Sequence, residues 1–66
     1  MKIVVNGDTR DVPDACDVAA LVEHLGLVPQ GIAVAVDEHV VPRTAWTGRT
    51  LVDGDRVEIV TAMQGG

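Results

Sequence analysis

One amphipathic segment constrains the fold of this 66-residue chain more than any other sequence feature. Four apolar residues recur at i, i+3, i+4 and i+7 and predict a helix with a single apolar stripe: Val18, Leu21, Val22 and Leu25. Asp17 is expected to cap its start, because a carboxylate accepts free amide hydrogens there. Gly26 follows the stripe, where a left-handed cap costs glycine least. A single helix can cover only one face of a sheet.

The other apolar residues favour strands. Thirteen residues are Val and three are Ile, against four Leu, and β-branched side chains pack well on a pleated surface. Asn6-Gly7 is a strong signal for a type I′ turn, since both central positions need positive φ. Residues 2–5 and 8–12 are therefore predicted to form a hairpin, which Pro13 ends because proline cannot donate to the ladder.

Two more strand regions are predicted after the helix. Residues 31–41 form the third strand region, and period two divides it into an inner face with Ile32, Val34 and Val36 and an outer face with Ala33, Ala35 and Asp37. Residues 42–46 are expected to form a short irregular or 3₁₀ turn, and residues 50–52 a brief strand before the turn at 53–55. The last strand covers residues 56–61, with Val57 and Ile59 inward.

This order predicts an α+β fold, with a mixed sheet of four to five strands and the helix on one face. The first strand is expected to lie parallel to the last one in the middle of the sheet. Residues 1–66 would form a single domain with a flexible C-terminal tail at 63–66. The predicted core consists of Ile3, Val5, Val18, Leu21, Val22, Leu25, Ile32, Val34, Val36, Val57 and Ile59.

Composition argues against several functions. The net charge is −5, no Lys/Arg cluster occurs and Trp46 is the only aromatic residue, so nucleic acid is not an expected partner. The longest apolar runs have five residues, against the roughly 20 that span a bilayer. One cysteine cannot form an internal disulfide, and the N-terminus lacks the pattern of a signal peptide. A cytoplasmic protein without membrane contact, monomeric when free, is expected.

No catalytic constellation is present. A packing role is favoured for Cys16, although its place before the helix would suit a reactive thiol. His24 and His39 are far apart and lack metal-ligand spacing, so solvated side chains and no metal site are expected. Asp37-Glu38 is interpreted as a turn at a soluble edge. Phosphate-binding glycine motifs are also missing, which predicts a non-enzymatic protein with no bound cofactor.

The informative segment is the chain end, Gln64-Gly65-Gly66. Two glycines without Cβ atoms can thread a narrow channel of a partner enzyme, and four tail residues would reach about 13 Å. The functional hypothesis is that the Gly66 carboxylate is the reactive group. A carboxylate with a pKa of about 3.5 is ionised and a poor electrophile, so a partner must first activate it, for example as a mixed anhydride with AMP.

These features together resemble the ThiS family of sulfur carrier proteins in thiamine biosynthesis. The resemblance covers the whole chain and is carried by the Asn6-Gly7 turn, the single helix and these later motifs: Val41-Pro42-Arg43 with Trp46, Leu51 with Asp53-Gly54-Asp55, Val57-Glu58-Ile59 and Gln64-Gly65-Gly66. It implies a ubiquitin-like β-grasp fold. Arg43 and Trp46 match the family pattern, and a packing role is favoured for both.

The resemblance also implies a reaction cycle and partners. An ATP-dependent, ThiF-like adenylyltransferase would adenylylate Gly66, sulfur would replace AMP, and a ThiG-like thiazole synthase would consume the resulting thiocarboxylate. Gly65 and Gln64 would thread into the partner. Val4, Ala33, Ala35 and Val60 are expected on the sheet face away from the helix and are candidates for docking the adenylating enzyme.

Three alternatives stay open from the sequence. The small subunit of molybdopterin synthase shares the implied fold and terminal thiocarboxylate, but that family carries Phe and Pro-Pro near its end and this chain has no Phe. A ubiquitin-like protein modifier would be conjugated to lysine through Gly66. A plain β-grasp interaction module would not use its tail.

Overall fold

The computed structural model describes residues 1–61. Its elements are five strands, one α-helix and one short 3₁₀ helix: β1 (Lys2–Val5), β2 (Asp8–Asp11), α1 (Val18–His24), β3 (Ile32–Val36), β4 (His39–Val41), the 3₁₀ helix (Arg43–Ala45) and β5 (Arg56–Thr61). No helix within these residues is long and apolar enough to cross a membrane.

The five strands form one mixed sheet in the order β2-β1-β5-β3-β4. β1 runs parallel to β5, and every other pairing is antiparallel. The last strand therefore occupies the centre, with one hairpin on each side. The buried side chains of α1 join those of the sheet in a single core. The predicted α+β arrangement and its central parallel pair are confirmed.

The start of α1 is capped as the sequence predicted. The Asp17 carboxylate accepts the Ala20 amide at 2.8 Å and, through its other oxygen, the Gly48 amide at 3.0 Å. These bonds, the one from Gly48 foremost, lower the pKa of Asp17 from its ordinary value. At the other end Gly26 has a φ of 72°, the left-handed conformation expected of a C-cap glycine.

The prediction for residues 31–41 needs correction. The turn predicted at Asp37-Glu38 is confirmed, since both residues take left-handed backbone angles (φ 49° and 71°), but it divides the single predicted strand region into a hairpin of β3 and β4. The fifth strand is thus β4, and the brief strand predicted over 50–52 is wrong: Thr50 makes only an isolated bridge with Asp17. The second strand also ends one residue early, at Asp11.

The core contains more residues than the sequence pattern predicted. Eight predicted members are buried, whereas Leu25, Ile32 and Ile59 are only partly buried and pack against the others. Five further residues are buried: Val12, Val41 and Leu51 were not predicted, whereas a packing role was predicted for Cys16 and Trp46. The Trp46 indole N–H donates to the Val41 carbonyl oxygen at 2.8 Å, so the buried ring is also satisfied in hydrogen bonding.

Leu21→Ala should destabilise the fold by about 2–5 kcal/mol, because Leu21 is fully buried and truncation leaves a cavity between helix and sheet. Urea unfolding measures the change. Leu27→Ala is the matched control at a position that is 38% exposed, and it should cost less than half as much. Equal losses for the two variants would contradict the helix-on-sheet core.

Candidate functional site

The predicted reactive end of the chain follows β5, the central strand of the sheet, in the sequence. β5 ends at Thr61, which lies opposite Ile32 of β3. Gly66, Gly65 and Gln64, the predicted sulfur-carrying and threading residues, lie outside the described residues. What the structure shows is the base from which they depart, formed by the last residues of β5 and the neighbouring sheet face.

The side chain of Asn6, at the end of β1, hydrogen-bonds to the β5 backbone within this base. The Asn6 amide accepts the Ile59 N–H through Oδ1 at 2.8 Å and donates through Nδ2 to the Ile59 carbonyl oxygen at 3.0 Å. The sequence predicted only a turn role for Asn6, which its φ of 49° confirms. The contact with β5 was missed, because its partner is 53 residues away along the chain.

The sheet face away from the helix carries an apolar patch beside the tail. Ala33 lies opposite Val60, and Ala35 lies opposite Val40. Val60 and Val40 are 57% and 72% exposed. We call Ala33, Ala35, Val40 and Val60 the apolar patch. It adjoins Thr61 directly, so any partner on the patch would also stand next to the start of the tail.

Two members of this surface differ from the sequence prediction. Val4 is separated from the apolar patch, because its partner on β5 is Arg56 and the outward Glu58 follows before Val60. Val40 was missed for a structural reason. Uninterrupted alternation from Ile32 would place it inward, but the turn at Asp37 and Glu38 resets the alternation and buries Val41 instead.

The other candidates have packing or solvent-exposed positions. Cys16 is buried, and this burial raises the pKa of its thiol. The negative charge of the adjacent Asp17 carboxylate raises the pKa further, as a smaller cause. This opposes the alternative of a reactive thiolate. His24 and His39 are exposed, and residues 1–61 contain no group of three His, Cys, Asp or Glu side chains that could hold a metal ion. Trp46 is buried, as its packing role predicted, while Arg43 is exposed.

Alkylation of Cys16 should be slow in the folded protein. At pH about 8, iodoacetamide should react at least about tenfold more slowly than with the urea-unfolded chain, because the raised pKa keeps the thiol protonated and burial limits access. Mass spectrometry of timed samples measures both rates. Equal rates would show that Cys16 is accessible and ionised in the folded state.

Comparison with known proteins agrees with the fold and with the sequence of the chain end. The sequence model of the ThiS family matches residues 3–66. A crystal structure of the thiamine biosynthesis protein ThiS from Geobacter metallireducens superimposes with a TM-score of 0.87 at 30% identity, and each chain is covered completely. The solution structure from the same organism gives a TM-score of 0.81 at 32% identity, covering all of this chain and 88% of the other.

Two curated relatives extend the comparison. The sulfur carrier protein ThiS of Escherichia coli is 29% identical over the full length of both chains. A thiazole synthase of Paramagnetospirillum magneticum is 35% identical over all 66 residues, but this chain spans only a fifth of that protein.

The fold and the family match together define a ubiquitin-like β-grasp domain of the sulfur carrier class. The chain belongs to the ThiS family, the sulfur carriers of thiamine biosynthesis.

Proposed function

We propose that this protein carries sulfur on its C-terminal carboxylate for formation of the thiazole of thiamine. A partner enzyme transfers AMP from ATP to the Gly66 carboxylate, releasing pyrophosphate. A sulfur nucleophile then attacks the carbonyl carbon of this acyl-adenylate and displaces AMP, leaving a thiocarboxylate. The carboxylate needs this activation because an oxide is a far poorer leaving group than AMP.

The observation that carries the proposal is the family match, which continues through Gly66. The similarity to Escherichia coli ThiS likewise spans both proteins from end to end. β5 supports it structurally, since it is the central strand of the sheet and five residues follow Thr61 in the sequence, enough for about 16 Å of extended chain. The carrier itself contributes no catalytic group and no bound cofactor, and ATP is used by the partner.

Two partners follow from this chemistry. A ThiF-like adenylyltransferase docks on the apolar patch and receives Gln64, Gly65 and Gly66 in its active site. A thiazole synthase accepts the sulfur. Support for the second partner comes from the Paramagnetospirillum protein named thiazole synthase, in which a segment similar to this whole chain makes up a fifth of the polypeptide. An ATP-dependent partner also fits the cytoplasmic location predicted from the sequence.

Deletion of Gly66 should abolish sulfur loading, because it moves the terminal carboxylate back by about 3.3 Å in a site that acts by positioning. The carrier is incubated with ATP, a ThiF-type adenylyltransferase and sulfide, and its intact mass is measured. All variants carry Cys16→Ser, so that a thiol-alkylating reagent can label only the new thiocarboxylate. Labelling of full-length carrier and at least about a hundredfold less labelling of the deletion variant are expected.

Two outcomes would contradict the terminal-carboxylate mechanism. One is alkylation that persists after deletion of Gly66. The other is loss of all alkylation in the Cys16→Ser background of the full-length carrier, because the label would then have resided on Cys16. Formation of an amide with lysine instead of a thiocarboxylate would identify a protein modifier.

Val60→Asp should weaken the complex with the adenylyltransferase at least about tenfold, because it places a charge in the apolar patch beside the tail. Val52→Asp is the matched control: Val52 is 60% exposed, against 57% for Val60, and lies outside the strands. Affinity is measured by isothermal calorimetry, with thermal melts to confirm folding. Equal affinities of the two folded variants would remove the patch from the interface.

A further inference from the structure

The Asn6 side chain takes the place of backbone hydrogen bonds at the end of the parallel pairing between β1 and β5. The Val4 amide donates to the Asp55 carbonyl oxygen at 2.9 Å, and two residues on, the Asn6 amide donates to the Val57 carbonyl oxygen at 2.9 Å. In a regular continuation, the Ile59 amide would donate to the Asn6 backbone carbonyl oxygen, and the Ile59 carbonyl oxygen would accept the amide of residue 8. That residue already belongs to β2, because the chain has turned at Asn6 and Gly7.

The Asn6 side-chain amide supplies both hydrogen bonds that the missing backbone partners would have made with Ile59. In a parallel ladder, one residue receives a hydrogen bond at its carbonyl and donates one from its amide to the same neighbouring strand. Ile59 does both with Asn6, through Nδ2 at 3.0 Å and Oδ1 at 2.8 Å. β5 is thereby held on its β1 side two residues beyond Val57, which is the last partner in the β1 register.

This contact is not needed to form the turn. Glycine adopts a φ of 49° without steric strain, and Gly-Gly also occurs in type I′ turns. What asparagine adds is a planar amide that can both donate and accept. Ile59 stands seven positions before Gly66, and beyond it the described part of β5 pairs only with β3.

We propose that Asn6 is a positioning residue for sulfur loading, whose amide fixes the direction in which the chain leaves the sheet toward Gly66. The inference rests on the proposed function and extends it to a residue far from the reacting group. Asn6 does not touch the reacting atoms. It acts through Ile59, by restricting the orientations in which the tail is presented to the adenylyltransferase.

Asp37 is a matched control, because its side chain bonds the opposite end of β5. Asp37 also has a φ of 49°, also occupies a hairpin turn and also bonds β5 through its side chain, since its carboxylate accepts the Arg56 amide at 3.1 Å. Asp37→Gly therefore removes a turn side chain that bonds β5 at the end remote from the tail. Any effect of generally loosening β5 should appear in both glycine variants.

The test compares Asn6→Gly, Asn6→Asp and Asp37→Gly with the unsubstituted carrier, at a temperature where melts show all of them folded. ATP–pyrophosphate exchange by a ThiF-type adenylyltransferase is measured as a function of carrier concentration. Asn6→Gly should lower kcat about 10- to 100-fold with less than about a twofold change in KM, because a misdirected tail binds but seldom reaches reacting geometry. Asp37→Gly should leave both constants within about twofold.

Asn6→Asp tests the two hydrogen bonds of the Asn6 side chain one at a time. It also provides a second variant if Asn6→Gly is too unstable to assay. It keeps the acceptor for the Ile59 amide but loses the donor to the Ile59 carbonyl, so an intermediate fall in kcat is expected. Hydrogen exchange of the Ile59 amide gives an independent readout: about tenfold or more faster exchange is expected in Asn6→Gly and unchanged exchange in Asp37→Gly.

The outcomes distinguish this inference from the proposed function. If the unsubstituted carrier supports no exchange and gains no sulfur, the proposed function fails. If it is loaded normally and Asn6→Gly matches it, or if both glycine variants lose kcat equally, the positioning role of Asn6 is overturned. A loss confined to KM would also overturn it, because it would place Asn6 in the docking surface.

Discussion

The parallel pairing of β1 with β5 is the interaction on which the rest of the structure depends. It joins the first strand to the last described one, and every other pairing in the sheet is antiparallel. Without it, the β1–β2 hairpin and the β3–β4 hairpin would have no common strand partner, because within the sheet only β5 pairs with both. Val57, 1% exposed at this junction, packs in the core that α1 covers. The same pairing also fixes where the chain end departs.

Most of the architecture could be predicted because its determinants are local. The Asn6-Gly7 turn, the Asp17 cap and the Gly26 cap each depend on residues within a few positions, and periodicity alone separates the helix from the strands. The turn at Asp37 and Glu38 was harder to place as a hairpin. Glu38 has a φ of 71° without the glycine that usually marks such a turn, so tertiary pairing imposes a conformation that its own preference opposes.

The errors in the core have the same origin. Trp46 and Leu51 lie outside the strands and outside α1, where no period indicates burial, yet both are almost fully buried. A packing role was predicted only for Trp46, and from the family pattern rather than from periodicity. They lie in the segment that connects β4 to β5. Its contacts with the helix entry, such as the Leu51 amide with the Cys16 carbonyl oxygen at 2.9 Å, depend on folding already achieved elsewhere. The chain end was predicted as the reactive site from two adjacent residues, Gly65 and Gly66, whereas the contact of Asn6 with β5 joins residues 53 positions apart.

Strand alternation separates the buried side chains of β3 from those on the outer face of the sheet. On β3, Val34 and Val36 face the core at 1% exposure each, while Ala33 and Ala35 between them face away from the helix. Alanine contributes little area, so the outer face of this strand stays flat and lets a partner approach the backbone near Thr61. Under the proposed function, the chain's contribution to the reaction is to present the Gly66 carboxylate in one orientation, and such a flat face would be the surface on which a partner docks. The buried valines anchor β3 to the core, and the alanines leave its outer face accessible. Because the two sets point to opposite faces, the packing of one does not determine the residues of the other.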